Sequence, residues 1–280
     1  MKKKQRSVGR AFCGGLKVFS YLTTAVAVIA LITILVYVIV GGVGKLKPSL
    51  FGDGSEGPTI VPAIVGTLSL VGISLVIAVP LGMGAAIFLA EYANVKGKFV
   101  KVVRIATETL AGIPSIVYGL FGYLVFVVAF KMGYTLLGGG ITLAVMILPT
   151  IVRSVEESLL SVPDGIRQGS YALGAGKVRT IFKVVLPSCA GGIVTAIILA
   201  VGRVVSESAV LLLTVGMVVN KMPSSMMSLG TSLALDIYYF ANFGYPDEAA
   251  ATSVVLIVFV LLINLAAVVV GKLIKRKTGE

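Results

Sequence analysis

The sequence predicts an all-α integral membrane protein with six membrane-spanning helices. The chain has 280 residues, of which 57% are hydrophobic, and its mean hydropathy is +1.04. Apolar runs recur along it that are long enough to cross the hydrocarbon core, which takes about 20 helical residues. The runs are continuous and do not alternate, which favours helices over a membrane barrel, because a helix satisfies its own backbone hydrogen bonds.

The predicted spans are separated by loops of very different charge. They cover residues 16–40, 61–90, 105–130, 136–152, 188–219 and 249–271. Most Lys and Arg residues lie before the first span, in every second loop and after the last span, whereas the other three loops hold only Lys45, Lys47, Lys131 and Lys221. Because Lys and Arg concentrate in cytoplasmic loops, we expect both chain ends to be cytoplasmic. The formal net charge of +12 therefore indicates orientation in a phospholipid bilayer and not nucleic-acid binding.

The first predicted span and the few cysteines indicate whether the N-terminus is cleaved and which kinds of site the chain can form. The basic start and the apolar run after it resemble a signal peptide, but the run from Val18 to Val40 exceeds the usual apolar region of about 7–15 residues. We therefore expect an uncleaved first helix. The chain has no His, and Cys13 and Cys189 are far apart, so we expect neither a metal site nor a Cys- or His-based catalytic triad.

The stretch GSYALGAGKVRT, from Gly169 to Thr180, contains a GAGK sequence like that of a phosphate-binding loop. A Walker A loop reads G-x-x-x-x-G-K-[ST], yet Tyr171 stands at the first glycine position and Val178 at the hydroxyl position. We therefore expect no nucleotide, no cofactor and no catalysis in this chain. Glycines between two amphipathic segments predict a helix–kink–helix hairpin at the membrane surface. Such a hairpin either docks a cytoplasmic partner or lies flat on lipid.

The predicted hairpin resembles the EAA loop of bacterial ABC importer permeases, whose pattern is Glu-Ala-Ala, three residues, Gly, nine residues and Ile-x-Leu-Pro. The matching residues are Gln168-Gly169-Ser170, Gly174 and Val184-Val185-Leu186-Pro187, at the same spacing. Gln168 replaces the family's Glu, which removes a charge. The resemblance implies that residues 153–187 form an EAA-type loop with a coupling helix that docks on a separate ATPase. The implied coupling residues are Gln168, Gly169, Ser170, Tyr171, Ala172, Leu173, Gly174 and Ala175.

Further motifs resemble the phosphate permeases among these importers. They are Val65-Gly66-Thr67-Leu68, Leu89-Ala90-Glu91-Tyr92, the run LAGIPSIVYGL at 110–120, and Gly202-Arg203 with Ser206-Glu207-Ser208. GIVTA at 192–196 and LLLTVG at 211–216 are closer to the A-type (PstA) subunit, and the C-type subunit is the alternative. The resemblance implies a type I, MetI-like permease fold. Its core would cover residues 61–280, and residues 1–60 would supply the N-terminal tail, the first helix and an outer loop.

The same resemblance implies a division of labour among subunits. The chain would form half of the translocation path of a phosphate importer in a bacterial or archaeal cell membrane. Its partners would be a second, C-type permease subunit, an ATPase dimer that binds ATP and Mg, and an extracytoplasmic phosphate-binding protein. The residue chemistry alone leaves a permease for another oxyanion open. An ion-coupled secondary transporter and a non-transporting assembly subunit are the other functions that the sequence allows.

Ionisable residues inside the predicted spans mark candidate functional positions. Arg203 and Glu207 lie four residues apart, so a continuous helix would place them on one face, and Glu108 is a second candidate partner for Arg203. These residues either line the translocation path or form a structural ion pair, because charges within a membrane do both. Gly112 and Pro114 interrupt the third span, where they form either a hinge or a site of close helix packing.

Overall fold

The computed structural model describes residues 2–52, 57–93 and 97–278, and the predicted domain ranges extend outside these described residues at both chain ends. Helices account for most of this part of the chain. In order, α1 to α12 are Lys2–Val43, Val61–Ile87, Lys98–Ala111, Ser115–Gly122, Leu136–Leu160, Asp164–Ala172, Lys177–Thr180, Leu186–Ser188, Ala190–Val205, Ala209–Thr214, Leu233–Asn242 and Pro246–Thr278. Turns of π-helix extend α2 over Phe88–Tyr92 and α4 over Tyr123–Ala129, and another joins α7 to α8 over Ile181–Val185.

Four helical segments are long and apolar enough to cross a membrane on their own. They are Leu16–Val43, Val61–Tyr92, Leu136–Leu160 and Pro246–Val269. Two bent helix pairs pass the same test together: Lys98–Ala111 with Ser115–Ala129, and Lys177–Ser188 with Ala190–Val205. When each bent pair counts as one crossing, the described residues provide six, which confirms the predicted all-α membrane class.

The third predicted span, 105–130, is not one continuous helix. α3 ends at Ala111, α4 begins at Ser115, and the two axes differ by 98°. Pro114 occupies the capping position of α4 with an extended ψ of 140°, and a proline disfavours helical geometry in the residue before it. The Tyr118 hydroxyl donates a hydrogen bond to the Leu110 carbonyl at 2.8 Å, which holds the two helices together across the bend.

The fifth predicted span, 188–219, is also interrupted. α9 ends at Val205, and α10 begins only at Ala209. The Ser206 hydroxyl donates to the Gly202 carbonyl at 2.9 Å, and a serine bonded to the backbone in this way competes with helix continuation. The Glu207 carboxylate accepts the Val210 N–H at 3.2 Å, so it caps the new helix. The chain after α10 then leaves helical geometry before the predicted span ends.

The core of the bundle forms around α5. Its buried side chains include a row at every fourth residue, formed by Leu143, Ile147, Ile151, Val155 and Leu159. Small residues bring neighbouring backbones close to this helix. A Cβ atom on Gly82 of α2 would lie 2.7 Å from the Ile151 side chain, and one on Gly140 of α5 would lie 2.6 Å from that of Ile73. Glycines at these contacts let α2 and α5 pack along much of their length.

α1 lies at the edge of the bundle and contacts α12. A Cβ atom on Gly42 would lie 2.3 Å from the Ala250 carbonyl oxygen, and Lys45 forms an ion pair with Asp247 at 2.5 Å. Most other side chains of α1 from Leu16 onward are exposed. We call the end of the bundle where α5 runs into α6 the hairpin end, and the end where α2 begins at Val61 the far end.

Candidate functional site

The predicted helix–kink–helix hairpin is present at the hairpin end. α6 and α7 are joined by a tight turn in which Gly174 has a φ of +80°, a left-handed value that favours glycine. The Ala175 N–H donates to the Ser170 carbonyl at 3.2 Å, which closes the turn. The hydroxyls of Ser170 and Thr180 lie 2.9 Å apart and join the two arms by a hydrogen bond. We call this unit, residues 164–180, the α6–α7 hairpin.

The outer face of the α6–α7 hairpin is open. None of the residues of α6 is buried, and all eight predicted coupling residues, 168–175, are exposed or half-buried. The side chain of Leu173, at the tip, is 90% exposed, and those of Val178 and Phe182 are also exposed. Apolar side chains at a projecting tip are typical of a protein–protein contact. The geometry therefore provides a surface for a partner, while the coupling role of residues 168–175 stays a prediction.

The inner face of the α6–α7 hairpin is attached to the end of α2 by a buried ion pair that sequence analysis missed. Arg167 donates from Nε at 3.1 Å and from Nη2 at 2.8 Å to the same Oε1 of Glu91. Their side chains are only 13% and 6% exposed. Arg167 also donates to the carbonyls of Val162 and Leu159, at 2.6 and 2.9 Å, and its Nη1 lies 3.4 Å from the carboxylate of Asp164.

A second contact joins the other arm of the hairpin to the same place. The Lys177 ammonium lies 4.7 Å from the ring centroid of Tyr92, the residue that follows Glu91. This distance is typical of a cation–π interaction. Both acceptors belong to the sequence Leu89-Ala90-Glu91-Tyr92, but nothing in the sequence indicates which cations reach it, because Glu91 and Arg167 are 76 positions apart.

The predicted ion pairs of Arg203 do not form among the described residues. Because α9 ends at Val205, Glu207 turns to cap α10 and does not share a helix face with Arg203. The other predicted partner, Glu108, lies 3.7 Å from Arg153. Arg203 is half-buried, and its Nη1 lies 3.5 Å from the Thr150 hydroxyl, with no described carboxylate within 4 Å.

Charged side chains of α3 and α5 line a cavity of about 170 Å³ towards the hairpin end. Arg104 donates to Glu156 from Nη2 at 2.6 Å and from Nε at 2.9 Å, and the side chain of Glu156 is 8% exposed. Arg153 and Glu157 form an exposed pair at 3.0 Å beside it. The lining residues are Arg104, Thr107, Glu108, Val152, Arg153, Glu156, Glu157 and Leu160.

The predicted hinge residues lie at the break between α3 and α4. A Cβ atom on Gly112 would meet nothing closer than 3.5 Å, so this glycine is not needed for close packing. Close packing uses later glycines of the same region: a Cβ on Gly119 would lie 3.0 Å from the Val210 Cα, and one on Gly122 would lie 2.3 Å from the Thr142 hydroxyl. Gly112 and Pro114 therefore mark the bend, and their movement stays a prediction.

A buried carboxyl group lies at the far end, in α11, outside the membrane-spanning helices. Asp236 is fully buried and accepts a hydrogen bond from the Thr231 hydroxyl, while its Oδ2 has no partner among the described residues. Burial raises the pKa of the Asp236 carboxyl to about 7, and the Thr231 hydrogen bond opposes this shift. Sequence analysis did not distinguish Asp236 from the other acidic residues of the loops.

The first residue of α11 and the segment leading into it are held against the start of α2. The Leu233 N–H donates to the Thr67 hydroxyl at 3.0 Å, and a Cβ atom on Gly66 would lie 2.0 Å from the Thr231 carbonyl oxygen. The two backbones can approach this closely only because residue 66 is glycine.

Comparisons with known proteins give one family and one fold. The family model described as "Binding-protein-dependent transport system inner membrane component" matches residues 78–280. A Bacillus subtilis (strain 168) protein described as a probable ABC transporter permease, YqgI, is 33% identical over 91% of this chain and 94% of its own length. The phosphate transport system permease protein PstA of Pasteurella multocida is 32% identical over 89% of this chain and 90% of its own length. PstA 1 of Mycobacterium tuberculosis is 33% identical over 82% of this chain and 74% of its own length.

Two solved transporters share the fold at lower sequence identity. A chain of a bacterial alginate ABC transporter superimposes with a TM-score of 0.69, at 15% identity and with 92% of this chain and 94% of that chain covered. A chain of the MetNI methionine ABC transporter, in an inward-facing conformation, superimposes with a TM-score of 0.62 at 22% identity. The match covers 82% of this chain and 99% of that chain. Both similarities concern the fold alone.

Proposed function

Because the chain belongs to the family of binding-protein-dependent transport system inner membrane components, we propose that it is the A-type permease subunit of a phosphate ABC importer. The observation that carries this proposal is the 32% identity to a PstA phosphate permease over 89% of this chain and 90% of that protein. The C-type alternative is not favoured, because the broad similarities to named phosphate permeases are to PstA proteins.

In this proposal the chain supplies half of the translocation path, and a separate ATPase supplies the energy. The chain is a transport subunit and not an enzyme, and its GAGK stretch forms the open turn of the α6–α7 hairpin, not a phosphate-binding loop after a strand. The exposed residues 168–175 then dock on the ATPase, and ATP and Mg bind to that partner. With Gln168 in place of the family's Glu, docking relies on shape and on the exposed Leu173 tip more than on charge.

The orientation follows from the loop charges. The hairpin end faces the cytoplasm together with both chain termini, and the far end faces the extracytoplasmic phosphate-binding protein. A second, C-type permease subunit completes the path. The exposed apolar side chains of the described spans then face either lipid or this second subunit, since a membrane protein has no need to bury them within one chain.

Arg203 is the residue that we propose lines the path. Arg203 lies in the last turn of α9, where the negative end of the helix dipole favours a cation, and no described carboxylate lies within 4 Å of it. Its charge is therefore not neutralised by an ion pair and can attract a passing anion. If Arg203 meets the substrate, Arg203→Gln lowers phosphate uptake at equal membrane expression, and unchanged uptake would contradict this role.

Reconstitution tests the proposed function directly. The chain is coexpressed with its second permease subunit, its ATPase and its binding protein, and the purified complex is placed in proteoliposomes loaded with ATP. We expect ATP-dependent accumulation of radiolabelled phosphate, and none with an ATPase variant that cannot hydrolyse ATP. Accumulation of sulfate or molybdate in place of phosphate would identify another oxyanion, uptake without ATP would indicate a secondary transporter, and a stable complex without transport would indicate an assembly subunit.

A further inference from the structure

We propose that Glu91 and Tyr92 form a clamp through which the α6–α7 hairpin moves α2, and that α2 carries this movement to the segment 231–233 at the far end. Glu91 and Arg167 are then positioning residues for transport. The inference rests on the proposed function, because it requires that a partner ATPase displaces the hairpin. It adds the route by which that displacement reaches the other side of the bundle.

The connectivity of the chain leaves α2 without a covalent tie to the hairpin. α5 runs directly into the α6–α7 hairpin, and the hairpin continues through α8 into α9, so both helices are covalently tied to it. α2 has no such tie, because the chain leaves it at Tyr92 for α3. The hairpin therefore acts on α2 only through side-chain contacts and through packing against α5.

The clamp holds both arms of the hairpin. Arg167 of α6 donates two hydrogen bonds to Glu91, and Lys177 of α7 lies over the ring of Tyr92. The Ser170–Thr180 hydrogen bond joins these arms, so they move as a unit. An arginine that also donates to two backbone carbonyls of the α5–α6 junction has a fixed direction, which suits it to transmit displacement and not merely to attract a charge.

α2 is suited to carry the movement across the bundle. With its terminal π-turn it runs over 32 residues without a break, through Pro80, and at 1.5 Å per residue this is about 48 Å. The contact of Gly82 with Ile151 lies on the hairpin side of its midpoint, and the contact of Ile73 with Gly140 lies on the far side. Close packing on both sides of the midpoint lets α2 transmit a displacement along its length.

The far end of α2 meets the segment 231–233, which leads into the first residue of α11. The Thr67 hydroxyl accepts the Leu233 N–H, and Gly66 lies against the Thr231 carbonyl with no room for a side chain. The same segment is tied to α5, since the N–H groups of Leu136 and Leu137 donate to the carbonyls of Ser228 and Met226 at 3.1 and 2.8 Å. A shift of α2 relative to α5 therefore acts directly on this segment.

The test uses the complete transporter in proteoliposomes, with the variants Glu91→Gln, Arg167→Gln and Arg167→Lys. Three quantities are measured: ATPase subunit retained per complex, ATP hydrolysed, and radiolabelled phosphate taken up per ATP. A fourth readout does not depend on the substrate. A cysteine placed at the exposed Met222 is labelled with a membrane-impermeant maleimide, with and without ATP. Lys45→Gln, which removes an exposed ion pair at the far end, is the matched control.

Both glutamine variants are expected to keep the ATPase subunit and to hydrolyse ATP at rates close to the unmodified complex. Uptake per ATP falls at least about tenfold in both, because each leaves a buried charge without its partner. The ATP-dependent change in labelling at position 222 is lost as well. Arg167→Lys keeps the charge and retains more uptake per ATP than Arg167→Gln. The Lys45→Gln control matches the unmodified complex in all four measurements.

The inference is overturned if the glutamine variants keep uptake per ATP and the labelling change. It is also overturned if they simply lose the ATPase subunit, or if Lys and Gln at position 167 behave alike. Should the glutamine variants fail to assemble, Tyr92→Leu decides the question. It keeps an apolar side chain, removes only the cation–π contact, and is expected to lower uptake per ATP about two- to fivefold; unchanged coupling in this variant overturns the clamp. If the unmodified complex takes up no phosphate, the proposed function fails, and the labelling change still tests the clamp.

Discussion

Replacing Gly66 with alanine tests the close contact between α2 and the segment 231–233. The new Cβ would lie 2.0 Å from the Thr231 carbonyl oxygen, whereas ordinary contact begins at 3.4 Å, so the two backbones must separate by up to 1.4 Å. The obstacle is a backbone atom and cannot rotate away. Such overpacking costs about 1–3 kcal/mol. The neighbouring Thr67–Leu233 hydrogen bond, lost in the same movement, adds about 0.5–1.5 kcal/mol.

The expected destabilisation by Gly66→Ala is therefore about 1.5–4.5 kcal/mol. At about 2–4 °C per kcal/mol for a chain of this size, the apparent Tm of the detergent-solubilised complex falls by roughly 3–18 °C. Scanning fluorimetry measures this shift. Gly72→Ala is the matched control, because it lies on the same helix and its Cβ would meet no atom within 4 Å. An alanine there is expected to stabilise slightly, by about 0.5–1 kcal/mol. If the Gly66→Ala and Gly72→Ala proteins had the same apparent Tm, the reasoning would be refuted.

Three further predictions concern other contacts. Glu156→Gln leaves the Arg104 guanidinium without its buried partner and lowers the free energy of unfolding by about 1–3 kcal/mol. Glu157→Gln, in the exposed pair with Arg153, costs under about 1 kcal/mol. Equal melting temperatures of the two variants would contradict this prediction. Gly174→Ala forces a side chain into left-handed geometry at a cost of about 1–2 kcal/mol, and weaker copurification of the ATPase is the expected result. Gly165→Ala is the control, because it lies outside residues 168–175 and is free of that strain. The pKa of Asp236 is about 7 in the folded chain against an ordinary value of 3.8, so the folded state binds more protons between these values, and stability falls as pH rises from about 4 to about 7. Asp236→Asn removes this slope, and a slope that persists in the variant would contradict the assignment.

Much of the architecture was predictable, because a long apolar run is stable almost nowhere except across a bilayer. The transfer of about 20 apolar side chains into hydrocarbon outweighs any local preference, so the number and order of the crossings follow from hydropathy. The α6–α7 hairpin was predictable for a related reason. Gly174 permits the left-handed turn, and the amphipathic segments on either side can lie only at a surface.

The bends were predictable only in part. Pro114 marks the break between α3 and α4, but hydropathy sums transfer free energies and carries no information on direction, so it could not distinguish a straight crossing from one bent by 98°. The Arg203–Glu207 ion pair, one of the two roles that the sequence left open for these residues, does not form among the described residues for a similar reason. A four-residue spacing predicts a pair only while the helix continues, and Ser206 and Glu207 bond to the backbone where it stops.

By itself the sequence determined the class of the protein, the order of its crossings, the exposed hairpin and the family, because these depend on composition, on local backbone preference and on motifs contiguous in the chain. The tertiary structure alone decided that Arg167 meets Glu91 and Lys177 meets Tyr92, that Arg203 has no described carboxylate beside it, and that Asp236 is buried. Such pairings depend on which faces of distant helices come together. In a membrane protein many small side-chain contacts set those faces, whereas transfer into the bilayer sets only which segments enter it.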